Sequence, residues 1–299
     1  MLASCQPGMG VPVTKVQLVT DSTTCLGAEA ALELGIGVAR GSFAFADERL
    51  VDDERAWRAA YERIRGGAAL PRTFAPSEAA FLEHFRPAAQ SGKAVLCLVT
   101  PFDVSPSFTT ASAAMLTVQD DLPAACIKIS NPGVGHAGLG ALLTSAAGMV
   151  AQGADLAALL AALEELEPRA DALVIPESAE WLDASGRLAL VEEKLGPLEA
   201  DVPVLRIGTR VTGVARAASH EGALEAAIER VGQRAGAGAV VNAVVAHAAA
   251  SGIAEEAADR LRTRYRVERL IVTELSMAIG AVAGPGAVAI GVAPTGAGG

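Results

Sequence analysis

The sequence predicts an α/β protein of two domains, and three observations carry that expectation. Short runs rich in Val, Ile and Leu alternate with segments of helical periodicity. Those runs are apolar almost throughout rather than at every second residue, as strands covered on both faces are. At 299 residues the chain is long enough for two domains. We therefore expect an N-terminal α/β domain over residues 14–154, built on a mainly parallel sheet with flanking helices. A C-terminal α/β domain should occupy residues 155–295, after a break near residues 153–155.

Taken in order, the strand candidates are residues 16–20, a weaker run at 38–45, then 94–100, 125–130 and 172–176. Further runs follow at 202–207, 239–247, 269–274 and 288–292. Helices are expected where apolar residues recur at three or four positions. Trp57, Tyr61 and Ile64 share one such face, and Phe81 and Phe85 another. Ser77 precedes the second of these and Glu78 falls in its first turn, which suits a helix start. Residues 156–166 and 223–231 read as helices too. The closing PTGAGG reads as a disordered end, and no internal repeat is visible.

Composition narrows the function classes. Hydrophobic residues make up 51% but aromatics only 4%, so the core should be built from Ala, Val and Leu. A net charge of -10, with no basic run interleaved with aromatics, argues against nucleic acid. Cys5, Cys25, Cys97 and Cys126 show no CxxC spacing and read as reduced thiols of a cytoplasmic protein. The opening MLASC is superficially like a lipoprotein cleavage box, but neither a charged nor an apolar leader region precedes it. The stretch GALLTSAAGMVAQGADLAALLAAL is broken by Gly, Gln and Asp short of a spanning length, so no integral membrane association is expected.

Gly133, Gly135 and Gly138 spell GxGxxG after a predicted strand and before a helix, the context a dinucleotide fingerprint requires. The motif follows the third or fourth strand, however, and the nearest well-spaced acid, Asp155, starts a helix. A tight strand-to-helix turn is the favoured reading, and a nucleotide-binding α/β enzyme the alternative. His84, His136, His220 and His247 stand far apart, without HxxxH or HExxH spacing, so no metal site is expected. Each reads as a surface or satisfied core residue. Neither a GxSxG elbow nor a GxxxxGK[ST] loop occurs, so no catalytic residue is assigned.

Three hydroxyl-bearing loops remain: residues 21–24, the segment with Thr73 and Ser77, and the segment with Ser105 and Ser107. Loops leaving the carboxyl ends of parallel strands converge on one crevice. Neutral hydroxyls converging without a base suit recognition of a polar head. Helix capping alone is the competing account, since Ser, Thr and Asp dominate N-caps.

These segments, in their order, resemble the DegV family. VTDST at residues 19–23 is similar to its opening signature, Thr73-x-x-Pro76-Ser77 to its TSQPS motif, and Ser105-Pro106-Ser107-Phe108 to its SGTF. Gly186 and Arg187 match its GGR stretch. PVL at 203–205, VVAHA around His247 and AIGAVAGPGA from Ala278 follow in order. The resemblance runs from about Val16 to Pro294. It implies the EDD fold, with a lipid site between two domains that holds one long-chain fatty acid such as palmitate or oleate. Thr73 and Ser105 would take the carboxylate, and an apolar tunnel the chain. Asp21 and Ser22 would cap the first helix and buttress the head-group site, with Ser77 and Ser107 in support. Arg187 and His247 are the family-motif or partner-docking positions. The protein would be a non-catalytic carrier that needs no cofactor and presents the acid to a separate ATP-dependent kinase subunit for acyl-phosphate formation. A DegV-like module without a ligand, acting only in interactions, is the third reading.

The sequence also departs from the family pattern. Pro106 replaces the Gly of SGT and removes a backbone donor. Phe74 and Ala75 replace Ser-Gln, and Asn131-Pro132 stands where an Asp-Ser pair is usual. Val282 takes the place of the histidine in IGxHxGPG.

Overall fold

A computed structural model describes residues 15–296. Cys5, the MLASC stretch and the last three residues of the tail lie outside the described residues. The chain opens with β1 (Val16–Asp21), a 3-10 turn (Ser22–Thr24), α1 (Ala28–Glu33), β2 (Ile36–Ala39), β3 (Ser42–Ala44) and β4 (Arg49–Val51). It continues through α2 (Glu54–Arg65), β5 (Arg72–Phe74), α3 (Glu78–Gln90), β6 (Ala94–Leu98), α4 (Ser107–Asp121), β7 (Ile127–Ser130) and α5 (His136–Ala151). Then come α6 (Leu156–Leu166), β8 (Asp171–Ile175), α7 (Ala179–Ala184), α8 (Leu188–Leu195), β9 (Val202–Ile207), β10 (Val211–Ala217) and α9 (His220–Ala235). The last elements are β11 (Val240–His247), α10 (Ser251–Arg264), β12 (Arg266–Glu274), α11 (Met277–Ala283) and β13 (Val288–Pro294).

The α/β class expected from the sequence is the one observed. Four strands form a parallel sheet in the order β2-β1-β6-β7. Its two faces alternate as parallel strands should. Leu18, Leu96 and Leu98 face the interior of the molecule, while Val19, Val95, Cys97 and Val99 meet Phe81 and Phe85 of α3 and Ala111, Ala114 and Val118 of α4. Ser77 starts α3 as expected, accepting from the Ala80 N–H at 3.3 Å.

The second sheet departs from the expectation of largely parallel pairing. Its order is β10-β9-β8-β13-β11-β12, and only β11 and β12 run parallel. Apolar runs report that both faces are covered, and a strand buried on both faces reads the same in either direction. Here one face carries the large residues: Leu173, Ile175, Val204, Val245 and Ile290 pack under α9 and α10. The other face is small along β13, with Ala289, Gly291 and Ala293, beside Ala172 and Ala246, and carries Val174, Val244, Leu205 and Ile207 elsewhere.

Helix α5 lies on that small face, along β13, β11 and β8, and reaches across to the 3-10 turn after β1. Residues 136–147 are buried without exception, so the helix has no polar stripe to read as amphipathic. Glycine lets it approach. A Cβ on Gly291 would stand 2.0 Å from the Ala137 carbonyl carbon and 2.1 Å from the Gly138 nitrogen. On the opposite side a Cβ on Gly140 would collide with the Thr24 carbonyl oxygen. Asn242 of β11 donates to Ser145 Oγ at 3.0 Å, and Ser145 donates to the Pro294 carbonyl at 2.7 Å, pinning the far half of the helix.

A third, small antiparallel sheet, β4-β3-β5, was not foreseen. The run at 38–45 divides between two sheets at Gly41, where a Cβ would stand 2.5 Å from the Phe74 carbonyl oxygen. The start of the supposed disordered tail is ordered: Pro294 ends β13, and the Thr295 N–H donates to the Val240 carbonyl at 3.0 Å. Gly291→Ala should cost on the order of 3 kcal/mol, because the new methyl meets backbone and no side chain can move aside. A lowered urea midpoint at unchanged slope is the expected readout.

Candidate functional site

A cavity of about 960 Å³ opens where the carboxyl ends of β1 and β6 meet the small sheet, the β8–β9 face and α11. Most of its hydroxyls come from the first half of the chain, among them Ser22, Thr23, Thr73, Thr100 and Ser105. Its apolar wall comes from the second half, chiefly Val174, Leu205, Ile207, Ile279 and Val282. The volume lies within the roughly 300–1,000 Å³ range of small-ligand sites.

Thr73 sits on β5, an edge strand of the small sheet, opposite Phe43. It is exposed, and its hydroxyl makes no hydrogen bond among the described residues. Ser105 follows a turn in which its N–H donates to the Pro101 carbonyl at 3.0 Å. Ser105 Oγ and Ser107 Oγ share a hydrogen bond of 2.9 Å, and Ser105 Oγ also accepts from the Ser107 N–H at 3.3 Å. Ser107 is therefore buried beneath Ser105 rather than on the cavity surface. Pro106 occupies the N-cap position of α4, where a missing N–H costs no helical bond. Ser77 lies at the rim as the cap of α3.

Asp21 and Ser22 do different work from the capping of a first helix. Asp21 caps only the single 3-10 turn, accepting from the Thr23 N–H at 2.9 Å, the Thr100 N–H at 3.1 Å and the Thr23 hydroxyl. Helix α1 starts later, at Ala28 after the N-cap Gly27 and without a side-chain cap, because Cys25 in a left-handed conformation redirects the chain first. Ser22 donates to Asp52 at 2.6 Å and accepts from the Gly41 N–H at 3.1 Å.

Asp52 is the buried group that sequence reasoning missed. Its carboxylate accepts from Ser22 Oγ, Trp57 Nε1 at 2.6 Å, Ser276 Oγ at 2.9 Å and the Met277 N–H at 3.1 Å. It thereby ties the end of β1, the first turn of α2 and the start of α11 at the cavity floor. Burial pushes its pKa up, against the pull of those four donors. A signal existed in the Asp52-Asp53 pair ahead of the Trp57 face. One acid suffices as cap, and Asp53 is that cap, accepting from the Ala56 N–H at 3.0 Å.

His136 was also missed as a site residue. It begins α5, lines the cavity, and sets Nδ1 3.3 Å from the Thr23 carbonyl oxygen. Its φ of 50° is left-handed, uncommon for a residue with a side chain. Burial holds its pKa down at about 4. The same loop answers the nucleotide reading. The Gly133 N–H donates to Glu167 and the Gly135 N–H to the Ile207 carbonyl at 3.0 Å, and a Cβ on Gly138 would strike the Asp171 carbonyl. These glycines serve close packing, and their amides are engaged within the protein.

Arg187 lines the cavity beside Gly186, its guanidinium donating to the Ser185 carbonyl at 2.9 Å. His247 does not join this group. It lines a separate cleft of about 600 Å³ with Arg58 and Glu274, and its Nδ1 accepts from the Ala250 N–H at 3.3 Å. Val282 adds to the apolar wall, and Phe74 carries Arg49 4.3 Å above its ring. Among the described residues no group of His, Cys, Asp and Glu could hold a metal ion, and no helix is long and apolar enough to cross a membrane.

Residues 15–295 match the model of the DegV family of uncharacterised proteins. A DegV domain-containing protein of Clostridium acetobutylicum is 25% identical over 276 residues, 92% of this chain and 96% of its own. A Thermus thermophilus DegV family structure, described by its fatty acid binding, is 25% identical with a TM-score of 0.80, covering 94% of this chain and 99% of that one. The structure of DegV from Bacillus subtilis, described as a fatty acid binding protein, superposes with a TM-score of 0.79 at 20% identity, over 94% and 99% of the two chains.

The buried histidine makes a prediction for the empty protein. Its folded pKa lies below that of the unfolded chain, so its contribution to stability is present above pH 6.5 and lost as pH falls toward about 4. The shift corresponds to about 3 kcal/mol. Chemical unfolding across that window should show this loss, and His136→Asn should remove it from the profile.

Proposed function

The chain belongs to the DegV family, and we propose that it binds one long-chain fatty acid in the cavity described above. The observation that carries this reading is the cavity's two-sided lining. Thr73 and Ser105 offer hydroxyl donors at one side, and apolar residues of β8, β9 and α11 line the other. The fatty acid binding described for the Thermus thermophilus relative supports the same choice of ligand. Burying about sixteen carbons contributes at most roughly 12 kcal/mol before the costs of binding, so the polar end need only orient the head. Ser22, Asp21, Ser77 and Ser107 support that end through the hydrogen bonds given above.

In this reading the protein is a carrier and not a catalyst. The Thermus thermophilus relative is described by its fatty acid binding, and that description supports a carrier. Mass spectrometry of lipid extracted from the purified protein should find stoichiometric fatty acid. Thr73→Ala with Ser105→Ala should weaken retention by at least about tenfold while leaving the fold intact. Unchanged affinity in that double variant would remove Thr73 and Ser105 from the head-group site.

The finer role is presentation of the acid to an ATP-dependent kinase subunit, with Arg187 at the cavity and His247 in its separate cleft as docking positions. The support here is the resemblance to the family. Acyl phosphate should form when the loaded protein, a fatty acid kinase subunit and ATP are mixed, and Arg187→Glu should slow it. No product with any such kinase would leave a binding protein without transfer.

A further inference from the structure

The hydroxyl side of the cavity contains a single basic ring, and its surroundings determine how that ring is used. The Thr23 carbonyl 3.3 Å from His136 Nδ1 can only accept, so Nδ1 carries the proton of the neutral ring and Nε2 the lone pair. The ring lines the cavity, and Nε2 has no partner among the described residues.

No cation is hydrogen-bonded to that lone pair among the described residues. Asp21, from β1, has its oxygens on Thr23 and the Thr100 amide. Asp52 lies at the cavity floor with its four donors. Asp171 of β8 is paired with Arg206 of β9 at 2.6 Å, and Glu167 holds the Gly133 amide. Glu164 and Glu165 of α6 are exposed, β13 has no titratable residue, and His247 of β11 lies in the other cleft. The Cys25 thiol, pushed up to about 12 by burial, stays protonated. Of the lining cations, Arg49 is engaged with Ser42 and Arg187 with Ser185; Arg210 is exposed on the turn between β9 and β10, without an ion pair among the described residues, and Asp103 completes the charged lining. A bare carboxylate brought against Nε2 would face a lone pair, which cannot donate to it.

Resting on the fatty acid reading above, we infer that the head group binds together with one proton, held between its carboxyl group and Nε2 of His136. The proton comes from solvent, since the free acid is ionised and the empty site's ring is neutral at pH 7, its pKa held at about 4 by burial. Whether the proton rests on oxygen or on nitrogen, one hydrogen bond forms and one proton is taken up. His136 thereby selects ligands that can place a donor at this point.

Isothermal titration of a medium-chain fatty acid, kept below its aggregation threshold, in buffers of different ionisation heat counts that proton. About one proton should be taken up per acid bound at pH 7, and Kd should rise about tenfold per pH unit from pH 6 to 8. The fatty alcohol of equal length carries its own O–H and should bind with no proton uptake and no pH slope. His136→Asn preserves the left-handed backbone, and its amide can still donate to the Thr23 carbonyl. In that variant uptake should fall to near zero and the slope should flatten. Tight binding of the acid to the unaltered protein without uptake overturns the inference and leaves the fatty acid reading standing. Undiminished uptake in His136→Asn also overturns it and points to Asp52 as the proton holder. If neither acid nor alcohol binds, the fatty acid reading fails and this inference with it.

Discussion

Helix α5 lies between two sheets at a distance that only glycine permits, and the rest of the molecule is arranged around that contact. On one side Gly291 of β13 meets the backbone of Ala137 and Gly138; on the other Gly140 meets the carbonyl of Thr24. The face of β13 beneath the helix is correspondingly shallow, with Ala289, Gly291 and Ala293 where its opposite face carries Val288, Ile290 and Val292. A protein poor in aromatics can still fill its interior this way, because close backbone approach replaces large side chains. Dispersion contacts summed over such a surface make up for what the small residues individually lack.

The same contact locates the candidate site. With α5 held between β13 and the turn after β1, its first residue is delivered to the space where β1 and β6 end. The crossover loop that brings it there, Gly133 to Gly138, spends its amides on Glu167 and Ile207. Asp52 closes the floor by gathering donors from β1's end, α2 and α11, the farthest of them 225 positions from it in the chain. A buried carboxylate with four donors is satisfied, and the hydroxyls around it are oriented by it rather than free to rotate. The cavity thus combines hydroxyls mainly from the first half of the chain with an apolar wall mainly from the second.

Several elements were legible because local chemistry determines them. Residues 156–166 form the helix their periodicity predicts, and Ser77 caps α3 in the manner expected of a Ser before an acidic first turn. Ser22 and Ser105 line one cavity from loops beyond the carboxyl ends of β1 and β6, and Thr73 joins them from β5 of the small sheet. The small sheet escaped notice because its strands are three residues each, too short for alternation to register. β10 escaped for a different reason: its residues are part-buried on both faces, so no period separates a core side from a solvent side. Asp52 and His136 were missed since each looks locally like something ordinary, a spare acid before a helix and a lone histidine in a glycine-rich turn.

By itself, then, the sequence determined the α/β class, the position of most strands and of the capped helices, and which loops carry hydroxyls. It did so because strand burial, helical period and capping act over a few residues. Strand direction in the second sheet, the partners of Asp52 and the setting of His136 were decided only by tertiary structure. Each depends on groups far apart in the chain: Ser22 and Ser276 reach one carboxylate, and Thr23 and His136 meet across 113 positions. No local propensity encodes such a meeting. It follows from the one packing of helix against sheet that the glycines allow.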